Sequence, residues 1–150
     1  MYKRVYNIKD IEHIIEADGI KEASDVFKLK YFDLTDVVNN VKNVVITDGT
    51  GFILFHNINP GVYEAHPAFL KSGRGKKALK TSKKAIQYLF KNTSCMEIIA
   101  YCPIEYKHSQ YLACMCGFKY EYNANIEFNN IKVGFKVYKL KYEDTKCRVQ

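Results

Sequence analysis

The chain has 150 residues, 47% hydrophobic and 14% aromatic, and its 23 basic against 16 acidic side chains leave a net charge of +7. That length fits one domain with a true core, burying about two thirds of its unfolded surface, and the apolar content excludes a disordered chain. No apolar run approaches the ~20 residues of a membrane span, and Met1-Tyr2-Lys3-Arg4 is not followed by a signal-peptide core, so a soluble cytoplasmic protein with no membrane partner is expected.

The basic excess favours polyanionic partners, whether nucleotide cofactor, nucleic acid or acidic surface, without choosing among them. Cys95, Cys102, Cys114, Cys116 and Cys147 are odd in number and lack C-x-x-C spacing, and the four histidines are scattered. Reduced, mostly buried thiols and no metal site are therefore expected.

In chain order, Val5 to Ile8 reads as a short opening strand. Asp10 stands at an N-cap position before Ile11, Ile14 and Ile15, which recur at helical spacing up to Gly19. A second helix is predicted over Ala23 to Leu29. Asp33 to Val41 is either a short helix or a loop. Val44-Val45-Ile46, Asp48-Gly49-Thr50-Gly51 and Phe52 to Phe55 form a hairpin around a glycine-rich turn. Asn59-Pro60-Gly61 turns into a third antiparallel strand, Val62 to His66, ended by Pro67.

Ser72-Gly73-Arg74-Gly75-Lys76-Lys77 is then a basic turn from which a helix starts. Ala78, Ser82, Ala85, Ile86, Leu89 and Phe90 share one face of that helix and Lys76, Lys80, Lys83, Lys84, Gln87 and Lys91 the other; Asn92 closes it. A helix start leaves backbone N–H groups unpaired and carries partial positive charge, so with Arg74 and two lysines it is a seat for phosphate. The lysine face beyond the turn reads as a solvated surface, and nucleic acid is not the expected partner because no RNA- or DNA-binding signature accompanies it.

Glu97 to Cys102 is a strand of nearly continuous apolarity, covered on both faces, and stopped by Pro103. Lys107 to Cys116 reads as a helix with Tyr111, Leu112 and Met115 available to pack, and Gly117 as its stop. Phe118 to Tyr122, Ile126 to Phe128, a turn at Asn129-Asn130 and Val133 to Tyr142 close the chain in β structure. In the last strand the apolar parity switches between Val137 and Tyr138, which calls for a bulge or two-sided burial. One helix joining the third meander strand to the next implies a right-handed βαβ crossover.

In this order the chain resembles the GCN5-related N-acetyltransferase (GNAT) family along nearly its whole length. His66-Pro67 followed by Arg74-Gly75-Lys76 is similar to the family's fourth strand ending and its acetyl-coenzyme A loop, and looks like loops of a phage-encoded branch. Ser109 followed by Gly117-Phe118 resembles the family's fourth helix and the start of its sixth strand. Lys77 and Leu79 stand where two loop glycines are usual if Arg74 takes the first position; Ser72 to Gly75 offers the alternative register. Ala113 stands at the family's frequent tyrosine acid and Tyr106 at a common asparagine.

The resemblance implies one α/β (α+β) domain over 1–150, a mixed, mostly antiparallel sheet of six to seven strands with about four helices. It implies acetyl-coenzyme A as the acetyl donor, an amine acceptor of unknown kind, and a monomer or homodimer in the cytoplasm, or the host cytoplasm if phage-encoded. The segment Gly73, Arg74, Gly75, Lys76, Lys77 and Ala78 would hold the pyrophosphate. The backbone near Ala65 and His66 would pair with the pantetheine arm, where strands Val62–His66 and Ile98–Cys102 splay apart. Glu64 and His66, two apart on a strand and so on one face, are candidates for moving the amine proton. Ser109 or Tyr111 would assist the departing sulfur, Ser109 also touching the cofactor; ordinary helix packing is the competing role for Tyr111. A catalytically silent acyl-coenzyme A-binding or protein-interaction module of the same fold is the first alternative, and a small basic nucleic-acid-binding protein the second.

Overall fold

The computed structural model describes residues 1–17, 34–128 and 130–146; the helix predicted over Ala23 to Leu29, and Cys147, lie outside them. Seven strands form one sheet: β1 (Lys3–Arg4), β2 (Val44–Thr47), β3 (Gly51–Asn59), β4 (Val62–Phe69), β5 (Glu97–Pro103), β6 (Lys119–Phe128) and β7 (Ile131–Lys141). Their order in the sheet is β1-β2-β3-β4-β5-β7-β6. Five α-helices lie among the described residues: α1 (Glu12–Ile15), α2 (Leu34–Asn39), α3 (Lys76–Asn92), α4 (Lys107–Met115) and α5 (Tyr142–Lys146). None is long and apolar enough to cross a membrane. The chain divides into two compact units, one of Met1–His56 with His66–Tyr88, the other of Asn57–Ala65 with the residues from Leu89 onward.

In the first unit, β1 pairs antiparallel with β2, and β2 with β3 from Val44↔Phe55 to Thr47↔Phe52. Alternation puts Val45, Phe52 and Leu54 on one face, where they join Val5, Ile11, Ile14 and Val38 in a buried cluster. Val44, Ile46, Ile53 and Phe55 are buried on the other face. The hairpin expected here is present and longer than the apolar runs suggested. The opening strand is displaced: Lys3–Arg4 is the strand, while Ile8–Asp10 forms a 3-10 turn. The cap is Asn7, whose side chain accepts from the Lys9 N–H, so Asp10 falls inside the turn and α1 shrinks to one turn. Leu34–Asn39 is helical, deciding the segment that pattern left open.

Pro67 does not end β4, which continues to Phe69. A proline offers no N–H to a ladder, and the parallel ladder of β4 with β5 already ends at Glu64↔Ile99. On α3, Ala78, Ser82, Ala85, Ile86 and Leu89 are buried as the spacing predicts, and Thr81 joins them.

In the second unit, β4 and β5 run parallel over Val62↔Glu97, Tyr63↔Ile98 and Glu64↔Ile99, the parallel pairing that one intervening helix implies. The antiparallel β5–β7 ladder is unbroken from Glu97↔Lys141 to Pro103↔Phe135. The parity switch in β7 is therefore two-sided burial, with Phe135 and Val137 buried on one face and Tyr138 and Leu140 on the other. A bulge does occur, on β6 between Tyr120 and Tyr122. Beyond it β6 is one continuous strand, not two. Helix α4 ends in a Schellman motif: Phe118 N–H donates to Ala113 O at 3.0 Å, Gly117 N–H to Cys114 O at 3.0 Å, and Gly117 takes φ +93°. The last strand stops one residue early, because Tyr142 opens α5 and packs on Phe90 with ring centroids 5.3 Å apart.

Candidate functional site

The basic turn has a precise internal economy of hydrogen bonds. Lys71–Gly73 is a 3-10 turn in which Gly73 N–H donates to Leu70 O (2.8 Å) and Arg74 N–H to Lys71 O (3.3 Å). Those two N–H groups, expected to hold phosphate, are already engaged. Gly75 then takes φ +74°, a left-handed conformation that suits glycine, and a Cβ there would meet nothing within 4 Å. Its carbonyl accepts the Leu79 N–H at 3.1 Å. Lys76, Lys77 and Ala78 therefore precede the first helical donor, and a helix start leaves their N–H groups without an intrahelical acceptor. Gly75 has no side chain with which to cap them. Lys76 and Lys77 are exposed, as is Arg74, whose Nε donates back to Phe69 O at 3.3 Å. An open glycine, uncapped N–H groups and three cations fit a pyrophosphate.

A brace invisible to motif reading lies in the same unit. The Asp48 Oδ1 accepts from the Thr50 N–H (2.8 Å), the Thr50 hydroxyl (2.9 Å) and the Gly51 N–H (2.9 Å). Its Oδ2 accepts from the hydroxyl of Thr81, which is fully buried on α3. Burial pushes the Asp48 carboxyl up, but the donors from Thr81, Thr50 and Gly51 outweigh it and hold the group below its ordinary value. Thr50 in turn carries the basic turn: its carbonyl accepts the Leu70 N–H at 2.9 Å. A Cβ on Gly73 would lie 2.6 Å from the Thr50 hydroxyl oxygen and 2.8 Å from its carbonyl oxygen. Gly73 is thus a close-packing glycine and Gly75 the open one.

On β4, Ala65 and His66 are half-buried. In the second unit, Glu64 is half-buried and stands opposite Ile99, which stands opposite Lys139. Tyr101 follows two residues beyond Ile99, on the same face of β5. Burial raises the Tyr101 phenol above its ordinary value; the Glu64 carboxylate and Tyr122 add to the rise and Lys139 opposes it. Lys139 also pairs with Glu97 at 3.4 Å and lies 5.9 Å from the Tyr122 ring centroid. Glu64 is thereby a member of a ladder of ionisable groups that includes Tyr101. Sequence reading missed Tyr101 because it sits inside an apolar run.

Ser109 is half-buried in the first turn of α4, its N–H donating to Tyr106 O at 3.2 Å. Tyr111 is 67% exposed and Met115 43%, so the packing expected of them is not found; Ala113 is the buried residue of α4. The Gln110 amide instead ties α4 to β5, donating to Pro103 O and Ile104 O at 3.0 Å each. Burial pushes the Cys95 and Cys102 thiols up to about 12, which disfavours a nucleophilic thiolate at either. Cys114 is exposed and Cys116 half-buried, so the expected burial of thiols holds for two of the four described. Among the described residues no group of three or more His, Cys, Asp or Glu side chains is gathered as metal ligands would be.

Solved structures share this architecture. A GNAT-family acetyltransferase from Bacillus anthracis is 23% identical, with a TM-score of 0.69 over 95% of this chain and 95% of that one. A spermidine/spermine N-acetyltransferase from Vibrio cholerae is 15% identical, with a TM-score of 0.69 over 100% and 96%. A ribosomal-protein-S5-alanine acetyltransferase from Vibrio fischeri is 14% identical, with a TM-score of 0.59 over 84% and 72%. The fold is the GNAT-like α/β fold. In sequence, the family model described as "Protein of unknown function (DUF2824)" matches residues 5–150, and the chain belongs to that family. No curated protein matches it in sequence.

Proposed function

We propose that residues 1–150 are a single acetyltransferase domain that moves an acetyl group from acetyl-coenzyme A to a primary amine. The observation that carries this reading is the open, left-handed Gly75 leading into the uncapped first turn of α3 beside Arg74, Lys76 and Lys77. The GNAT-like fold supports it by setting that turn between β4 and the next helix.

The N–H groups of Gly75, Lys76, Lys77 and Ala78 hold the pyrophosphate, and the three cations add full charge. Gly73 acts by close packing rather than by direct contact. The β4 backbone at Ala65 and His66 orients the pantetheine arm. Acetyl-coenzyme A supplies a thioester carbonyl for the amine to attack and a thiolate to leave. Glu64, with His66 two residues on, takes the amine proton. Tyr101, on the same face of β5 as the Ile99 that stands opposite Glu64, is kept protonated by burial and by the Glu64 carboxylate. Ser109 donates toward the departing sulfur, with the exposed Tyr111 hydroxyl the second candidate.

Isothermal titration with coenzyme A and acetyl-coenzyme A tests the binding half, and no heat at millimolar ligand would sink it. Thiol release with a panel of amines, spermidine and peptide N-termini included, tests the chemical half. One observation favours a silent coenzyme-binding module instead: the family's frequent tyrosine acid is here the buried methyl of Ala113. Binding without thiol release from any amine would select that reading.

A further inference from the structure

The turn of the β2–β3 hairpin and the basic turn are 20-odd residues apart in sequence, yet one carboxylate links the first to the helix that the second begins. Asp48 accepts four hydrogen bonds, three inside its own hairpin turn and one from Thr81 on α3. Three further contacts converge on the same node. Thr50 O receives the Leu70 N–H, Gly73 sits against Thr50 too closely for any Cβ, and Thr47 Oγ1 donates to Gly51 O at 2.6 Å from beneath. His13 Nε2 lies 2.8 Å from Gly49 O, tying α1 to the same turn.

An ordinary hairpin turn needs none of the Thr81 contact. A buried threonine on the core face of the helix is satisfied by a strand turn, so the helix can neither slide along its axis nor rotate without breaking a charge-assisted bond. Both attachments, Thr50 to Gly73 and Asp48 to Thr81, flank the segment Gly75–Ala78 on its two sides.

We infer that Asp48 is a positioning residue for the coenzyme turn: through Thr50 and Thr81 it fixes the direction in which Gly75, Lys76, Lys77 and Ala78 present their N–H groups. This rests on the coenzyme reading proposed above for its functional consequence, but its structural half stands apart. Because backbone N–H groups bind an anion only when aimed together, loosening the node weakens binding without removing any group that touches the ligand.

The experiment uses the full chain with Thr81→Val, which removes only the hydroxyl at nearly constant shape, Thr81→Ser, which restores it, and Asp48→Ala. Two readouts are taken: coenzyme A affinity by titration calorimetry, and amide exchange at Leu70, Gly73 and Leu79, whose N–H groups are bonded within or beside the turn. Thr81→Val and Asp48→Ala are expected to weaken coenzyme A binding about tenfold or more, with Thr81→Ser close to wild type. Exchange at the three amides should quicken by a similar factor while the Val45 and Leu54 ladder amides hold. Wild-type affinity in Thr81→Val and Asp48→Ala would overturn the inference, as would unchanged exchange at the three amides. Were wild type itself to bind no coenzyme A, the functional reading would fail, and the exchange data would still decide whether Asp48 holds the turn.

Discussion

The basic turn and the Glu64 ladder handle charge in opposite ways. The turn offers backbone N–H groups and exposed cations, and the neighbouring Asp48 is spent on internal donors. The ladder sets a carboxylate, two phenols and a lysine side by side on half-buried strands. The first is suited to hold an anion of fixed charge, the second to shift a proton. Binding and proton transfer should therefore come apart under mutation, and each variant below asks whether they do.

The largest effect is expected at Gly73. A methyl there must displace the Thr50 hydroxyl and backbone, an overpacking worth about 1–3 kcal/mol. Gly73→Ala should lower the urea midpoint at unchanged m-value and abolish measurable coenzyme binding together. A variant of wild-type stability would show that the Thr50 contact yields easily. Next comes Glu64→Gln. As loss of a general base it should cut turnover on the order of 100-fold or more while coenzyme affinity stays within twofold. Equal losses in both would mean that the turn and the ladder are not separable.

Neutralising the turn is the converse test. Lys76→Ala with Lys77→Ala should raise the coenzyme dissociation constant roughly tenfold at low salt and leave the rate at saturating coenzyme nearly unchanged. The difference should shrink as salt is added, since both ammonium groups are exposed. A loss confined to the saturated rate would move these lysines out of the binding role.

The two regions also differed in how far the sequence disclosed them. Helix α3 was legible because Ala78, Ala85, Ile86 and Leu89 repeat at helical spacing against a lysine face. The brace beneath its first turns was not, because Asp48 and Thr81 are 33 positions apart and a buried threonine reads as a mild break in an apolar stripe. Gly73 and Gly75 look alike in sequence; only packing against Thr50 and a φ of +74° give them different tasks. Tyr101 was hidden because a half-buried strand admits a phenol as readily as a leucine. Pro67 was misread as a stop because a missing N–H matters only where a ladder continues. Contacts distant in sequence account for the brace and for Gly73, while at the chain start and on α4 local pattern itself misled: Asn7, not Asp10, is the cap, and Tyr111 and Met115 are exposed.

The smallest expected effect, and the finest probe of the ladder, is at Tyr101. Its phenol is raised by burial first and by the Glu64 carboxylate second. Removing the carboxylate charge with Glu64→Gln should therefore lower the Tyr101 pKa only partway toward its ordinary value, because burial remains. Tyrosine ring-carbon NMR titration, with Tyr101→Phe to assign the signal, reads that shift directly. A group whose pKa is raised stays protonated to higher pH, so Tyr101 stays neutral near the Glu64 carboxylate. Tyr101→Phe removes a neutral hydroxyl from the strand face that carries Glu64 and should then lower the rate no more than a fewfold. An unchanged rate would leave Tyr101 a neighbour of Glu64 with no part in its chemistry.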